Sequence, residues 1–129
     1  MTGMDNAHAL VVGIADYWHP NGYFGKLPPI VCKDARDVHA LLTTAERGGY
    51  RSENAQLLLD GEATLSGLRD ALAGLKARCD AESAVLIYVS SHGGTISTGQ
   101  DAGEYLLPVD VVYTDEGRLV AETALSGAE

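Results

Sequence analysis

Val85-Leu86-Ile87-Tyr88-Val89-Ser90-Ser91-His92-Gly93-Gly94 is the stretch that decides how this chain folds. A run of apolar, β-favouring residues stops at two serines, and a histidine and two glycines follow. Continuous apolar runs of strand length mark strands buried on both faces, the pattern of parallel sheets. Such a strand delivers the imidazole of His92 to the carboxyl end of a sheet, where α/β proteins do their chemistry. Glycines at that point permit a sharp backbone turn and leave N–H groups unshielded.

Outward from this stretch, Ala9-Leu10-Val11-Val12-Gly13-Ile14 repeats the pattern and predicts a first strand, and Ala55-Gln56-Leu57-Leu58-Leu59 predicts a second. Gly, Pro, Asn and aromatic residues over 16–29 predict a long loop, and loops of that length in compact domains tend to carry function. Ala35, Val38, Leu41, Leu42 and Ala45 recur at spacings of three and four, which predicts a helix over 33–47. Asp34 is placed to cap it, Asp37 adds negative charge to its first turn, and Gly48-Gly49 stops it. Thr64 is placed to cap a second helix with Leu65, Leu68, Leu72, Leu75 and Cys79 on its apolar face. Beyond His92, 95–103 is a polar loop. Tyr105-Leu106-Leu107-Pro108 and Val109-Asp110-Val111-Val112 predict a short hairpin or an edge extension, and 124–129 the opening of a further helix. Strand, helix, strand, helix, strand is a βαβαβ unit: an α/β fold with a parallel sheet and right-handed crossovers.

With 129 residues, the chain is one domain over 1–129 with a single core, and at 46% hydrophobic it is globular. The net charge of −9, with only 9 lysines and arginines and no basic cluster, argues against nucleic-acid binding. An acidic surface suits a basic peptide or divalent cations, as well as plain solvation. Cys32 and Cys79 form no Cys-x-x-Cys pair, which argues against a disulfide framework and for a reducing, cytoplasmic setting. The N-terminus lacks signal-peptide features, and the longest apolar runs are far too short for a membrane span. His8, His19, His39 and His92 show no zinc-ligand spacing, and His39 falls inside the first helix pattern. Gly13 alone is not a dinucleotide fingerprint. No cofactor is expected.

Taken in order, these pieces resemble the large-subunit (p20-like) portion of caspase-like cysteine proteases, in the metacaspase and prokaryotic caspase-homologue branch. The matching residues are Ala9-Leu10-Val11-Val12-Gly13-Ile14, Leu27-Pro28-Pro29 with Cys32-Lys33-Asp34-Ala35, and Leu57-Leu58-Leu59-Asp60 with Glu62-Ala63-Thr64. Ser90-Ser91-His92-Gly93 and Glu104-Tyr105-Leu106-Leu107-Pro108-Val109-Asp110 complete the set. The resemblance implies the three-layer α/β/α caspase-haemoglobinase fold, of which this chain is the N-terminal half. It implies a cysteine endopeptidase with a Cys–His dyad, in which His92 moves the proton and the N–H of Gly93 helps form the oxyanion hole. It also implies that Asp34 and Ser90 line a substrate pocket for a basic residue, Arg or Lys, in a protein or peptide.

One departure stands out. The family's nucleophile lies in a motif of the type Asp-x-Cys-x-Ser/Gly after a fourth strand, and no such motif occurs between His92 and Glu129. Cys79, after the second helix, belongs near the opposite sheet edge and is expected in the core. Cys32 lies on the same edge as His92, but in the resembling family its segment lines the substrate pocket. The expectation is therefore a fragment whose cysteine sits on a C-terminal p10-like partner, with a catalytically dead pseudo-domain for binding or regulation as the alternative. A flavodoxin-like ligand-binding domain is a third possibility. Ca²⁺ activation, known in some metacaspases, draws attention to Asp101, Glu104, Asp110, Asp115 and Glu116, whose spacing is not that of an EF-hand. Cell-death and antiphage roles both occur in the family, and these residues do not choose between them.

Overall fold

A computed structural model describes residues 5–18 and 26–127 of the chain. Positions 19–25, which hold His19 and half of the expected long loop, and the final 128–129 lie outside the described residues. Three strands, β1 (Ala7–Gly13), β2 (Ala55–Leu59) and β3 (Ala84–Ser90), form a parallel sheet in the order β2-β1-β3. In register, Val11 stands between Leu57 and Tyr88. All seven residues of β1 are buried, because the strand has a partner on each edge and a helix on each face. The parallel α/β unit expected from the apolar runs is thus present.

The two helices, α1 (Ile30–Thr43) and α2 (Leu65–Arg78), each have 14 residues. Leu10, Val12 and Ile14 pack with Leu68, Ala71 and Leu75 of α2 to form the main core. At the start of α2, the Thr64 hydroxyl accepts the Gly67 N–H at 3.0 Å, the cap expected from sequence. Asp110 adds a second anchor there, its carboxylate accepting the Leu65 N–H at 3.0 Å.

The first helix differs from expectation at both ends. It begins at Ile30, directly after Pro28-Pro29, with Pro29 at the N-cap and no side-chain cap. Prolines suit the start of a helix because their missing N–H has no partner there anyway. Asp34 therefore lies in the second turn and caps nothing. The helix stops at Thr43, four residues early, because the hydroxyls of Thr43 and Thr44 bond back to the carbonyls of His39 and Ala40. Gly48 and Tyr50 N–H groups then take the carbonyls of Leu41 and Leu42. The inward face is Cys32 and Ala35, whereas Leu41 is half exposed and Ala45 falls beyond the helix.

After His92 the chain runs straight into β4 (Gly93–Ile96), which pairs antiparallel with β5 (Gly103–Leu106). Gly93 and Gly94 are extended ladder residues rather than a sharp turn, and the polar stretch between them and β5 is the hairpin tip. No helix opens at 124: a short 3₁₀ turn over Ala121–Thr123 leads into β6 (Leu125–Ser126), which pairs with β5. Of the segment expected as a short hairpin or an edge extension, Tyr105 and Leu106 belong to β5, and the rest is irregular, with Leu107, Pro108, Val109 and Val111 buried. Its N–H of Val109 bonds to the Ala63 carbonyl, so burial and not ladder pairing fixes it. Among the described residues no helix is long and apolar enough to cross a membrane.

Gly13 sets how closely α1 approaches the sheet. A Cβ there would stand 2.8 Å from the Cβ of Ala35 and 3.2 Å from the Val31 carbonyl oxygen, which is overpacking against a helix backbone. Gly13→Ala is therefore expected to destabilise the fold by about 1–3 kcal/mol, read as a lower urea midpoint. An unchanged midpoint would mean that α1 does not dock as closely as described.

Candidate functional site

The site is the carboxyl end of the parallel sheet, where β1 and β3 release their chains side by side. Ser90 pairs with Gly13, and one more bond, Ile14 N–H to the Ser90 carbonyl at 2.9 Å, holds the two exits together. With strand order β2-β1-β3, α1 leads from β1 to β2 on one side and α2 crosses from β2 to β3 on the other, and α/β sheets bind ligands at the carboxyl end beside such a reversal of strand order.

Hydrogen bonds to its backbone N–H and carbonyl hold His92 there. Its carbonyl accepts the Leu107 N–H at 3.1 Å, and its N–H donates to the Tyr17 hydroxyl at 2.9 Å. That hydroxyl in turn donates to the Leu107 carbonyl at 2.8 Å. Tyr17 is almost fully buried, and burial pushes its phenol up to about 12, so it remains a neutral donor throughout the physiological range. The rings of Tyr17 and His92 lie 5.3 Å apart at 50°. The imidazole lines a cavity of about 430 Å³ with Leu72, Glu104, Leu106 and Leu125 among its walls.

The two glycines after His92 serve different ends. A Cβ at Gly94 would crowd Leu107, Leu119 and Tyr113 at 3.2–3.3 Å, so packing itself asks for glycine. A Cβ at Gly93 would meet only the Tyr105 carbonyl oxygen, at an ordinary 3.6 Å. The bond from Leu107 N–H to the His92 carbonyl makes Gly93–Leu106 the non-hydrogen-bonded kind of antiparallel pair. The Gly93 N–H therefore points away from β5, toward the outer side of an edge strand.

The remaining sequence candidates are spread around this end. Ser90 closes β3, two residues before the histidine, and is half buried. Asp34 is exposed on α1. His39 of the same helix bonds to the Ala55 carbonyl on β2 and so marks the β2-facing flank. At 100° per residue, Asp34 stands some 140° from His39, on the other flank of the helix.

Neither cysteine joins His92 in an activated pair. The Cys32 thiol, 6% exposed, points at the Gly13 carbonyl at 3.6 Å. Burial pushes that thiol up, and the Asp60 carboxylate beside it adds to the effect, so it is held protonated. Cys79 caps the carboxyl end of α2, ahead of β3, at the other end of the sheet.

Sequence reasoning missed two residues that build this site, Tyr17 and Asp60. Asp60 follows β2 with φ at 43°, the only non-glycine with positive φ among the described residues. In that conformation one carboxylate oxygen receives both the Ala15 N–H at 2.7 Å and the Asp16 N–H at 3.0 Å. The Asp-Gly pair at a strand end was the available signal, since aspartate tolerates the left-handed region better than most residues. Of the acidic residues considered for Ca²⁺, Asp110 is engaged at the start of α2. Among the described residues no three His, Cys, Asp or Glu side chains converge as a metal site.

No family model matches the sequence, and no curated protein matches it significantly.

The Asp60 carboxyl provides a pH handle on this loop. Burial favours its neutral form, but the Asp16 and Ala15 N–H groups, the Cys32 thiol and the Arg36 charge outweigh burial and hold it below its ordinary value. A depressed carboxyl stabilises the fold fully above its unfolded value of about 3.9 and loses that contribution as pH falls through the folded value. Asp60→Asn is expected to lower stability at neutral pH and to flatten the acid limb of the stability–pH curve. An acid limb identical to that of the parent would show that Asp60 is not so engaged.

Proposed function

We propose that this chain is the large-subunit, p20-like portion of a caspase-like cysteine endopeptidase that cleaves protein substrates after Arg or Lys. In this account the fold is the N-terminal half of a three-layer α/β/α caspase-haemoglobinase domain. The observation that carries it is the pairing, at one strand end, of His92 with a neighbouring N–H, that of Gly93, turned to an open sheet edge. A Cys–His protease needs that combination: an imidazole to take and return the proton, and a donor for the developing oxyanion. That packing does not require a glycine at 93 fits a position kept small for close approach of a substrate carbonyl.

The nucleophilic cysteine comes, in this account, from a C-terminal p10-like segment whose strand adds to the free edge of β3. What supports this is the state of β3 itself. Val85, Leu86 and Ile87 are 49%, 37% and 49% exposed, and consecutive residues point to opposite faces of a sheet. An apolar edge strand left open on both faces is a template for another strand. Asp34 and Ser90 form the acidic side of the pocket for the basic residue, and the two free cysteines fit a reducing cytoplasm. Nucleic acid, membrane and cofactors have no part in this mechanism, although Ca²⁺ activation is compatible with it.

The mechanism assigns each residue a step. Cysteine sulfur attacks the scissile carbonyl carbon while the imidazole of His92 holds the thiol proton. The carbonyl oxygen gathers charge against the Gly93 N–H. His92 then protonates the departing amine, and water hydrolyses the thioester to release the acid and restore the thiol. A non-enzymatic pseudo-domain is the second reading, favoured by the absence of either Cys32 or Cys79 from the side of His92.

In the full-length protein assayed on Arg- and Lys-containing peptides, His92→Ala is expected to lower kcat/KM by about 10²–10⁴-fold without loss of fold by circular dichroism. Retained cleavage would remove His92 as the acid–base group. Asp34→Ala should raise KM for Arg substrates, and an unchanged KM would put the basic-residue pocket elsewhere. An intact full-length protein with no peptidase activity at all would favour the pseudo-domain.

A further inference from the structure

From the hydrogen bonds at the sheet end, we infer that Tyr17 is the positioning residue for His92, and that Asp60 holds Tyr17 in place to do it. The inference rests on the proposed acid–base role of His92. The phenol oxygen of Tyr17 closes a hydrogen-bonded ring: His92 N–H to Tyr17, Tyr17 O–H to the Leu107 carbonyl, and Leu107 N–H to the His92 carbonyl. Both backbone polar groups of His92 are thereby committed, at the point where β3 ends and β4 begins. The phenol ring also stands beside the imidazole, so one side chain restrains both the backbone and the ring of the histidine.

Tyr17 can do this because its own segment is hydrogen-bonded on both sides. On its N-terminal side, Ala15 and Asp16 N–H groups are bound by one oxygen of Asp60. On its C-terminal side, the Trp18 N–H donates to the Val109 carbonyl at 3.1 Å. Residues 15–18 are thus held from the end of β2 and from the core segment at once, with the Tyr17 side chain buried between. Positive φ at Asp60 is a conformational cost that persists only where surrounding contacts hold it, and such residues gather at functional sites. Burial keeps the phenol protonated, so the clamp holds unchanged across the pH range in which an imidazole titrates.

Tyr17→Phe separates clamp from packing, because it keeps the ring and its burial and removes only the hydroxyl. In the 129-residue chain, hydrogen exchange at the His92 amide is expected to accelerate at least tenfold, and the imidazole carbon–proton cross-peak of His92 to shift. Amides in the middle of β1 should keep their protection. Asp60→Asn should shift the same cross-peak in the same direction and by less. In the full-length protease Tyr17→Phe should lower kcat with little change in KM, and Tyr17→Leu should lower it further. An unmoved His92 amide and imidazole in Tyr17→Phe would overturn the inference, whatever the activity. So would a moved imidazole with kcat unchanged where His92→Ala is inactive. Were His92→Ala itself fully active, the acid–base reading would fall, while a moved cross-peak would still establish the clamp.

Discussion

The structure depends on the burial of β1, paired along both edges and covered on both faces. A strand so enclosed cannot shift in register without moving its whole apolar set, because the side-chain period is two. Its exit at Gly13 is therefore a fixed point, and the bond from Ile14 N–H to the Ser90 carbonyl ties the exit of β3 to it. The functional end is built onward from there by polar contacts. Each such hydrogen bond contributes only about 0.5–1.5 kcal/mol net, yet leaving a buried partner unpaired costs more. The ring through Tyr17, His92 and Leu107 leaves no such group stranded, which is why the histidine has a defined place.

The parts of the fold carried by local pattern were legible in the sequence. Three apolar runs became the three parallel strands, and Thr64 with the leucine spacing after it became α2. Legibility failed where the deciding partner is distant. Tyr17 acts through residues 75 and 90 positions away, and Asp60 through backbone 44 and 45 positions upstream. Nothing local marks such contacts. Glycine also misled: Gly93-Gly94 resembles a turn, but the pair sits in a ladder, Gly94 because three side chains crowd it. The start of α1 was hidden because apolar spacing favoured Ala35 onward, while Pro28-Pro29 had already begun the helix. Leu107, Val109 and Val111 are buried as the residues of a strand would be, without joining the ladder.

The placement of the candidate site was legible in part. His92 and Gly93 stand at the carboxyl end of the sheet, where the strand pattern put them, and Ser90 closes the same strand. The role of Asp34 as a helix cap was not borne out, since the cap position belongs to Pro29. What the sequence could not convey was the condition of β3. An apolar run looks equally buried whether its far edge is paired or open, and here Val85, Leu86 and Ile87 face outward. Residues 84–90 carry no charge, although the chain carries −9 overall. Uncharged apolar edges invite pairing, and charged ones resist it.

The proposed reading is a claim about location, with the histidine in this chain and its cysteine on a strand laid against β3. The most direct test is covalent. A peptide ending in an arginine chloromethyl ketone, incubated with the full-length protein and followed by peptide mass spectrometry, alkylates the activated thiolate. The account predicts a single labelled cysteine outside residues 1–129, with labelling lost in His92→Ala. Label on Cys32 or Cys79, or labelling indifferent to His92, would contradict it.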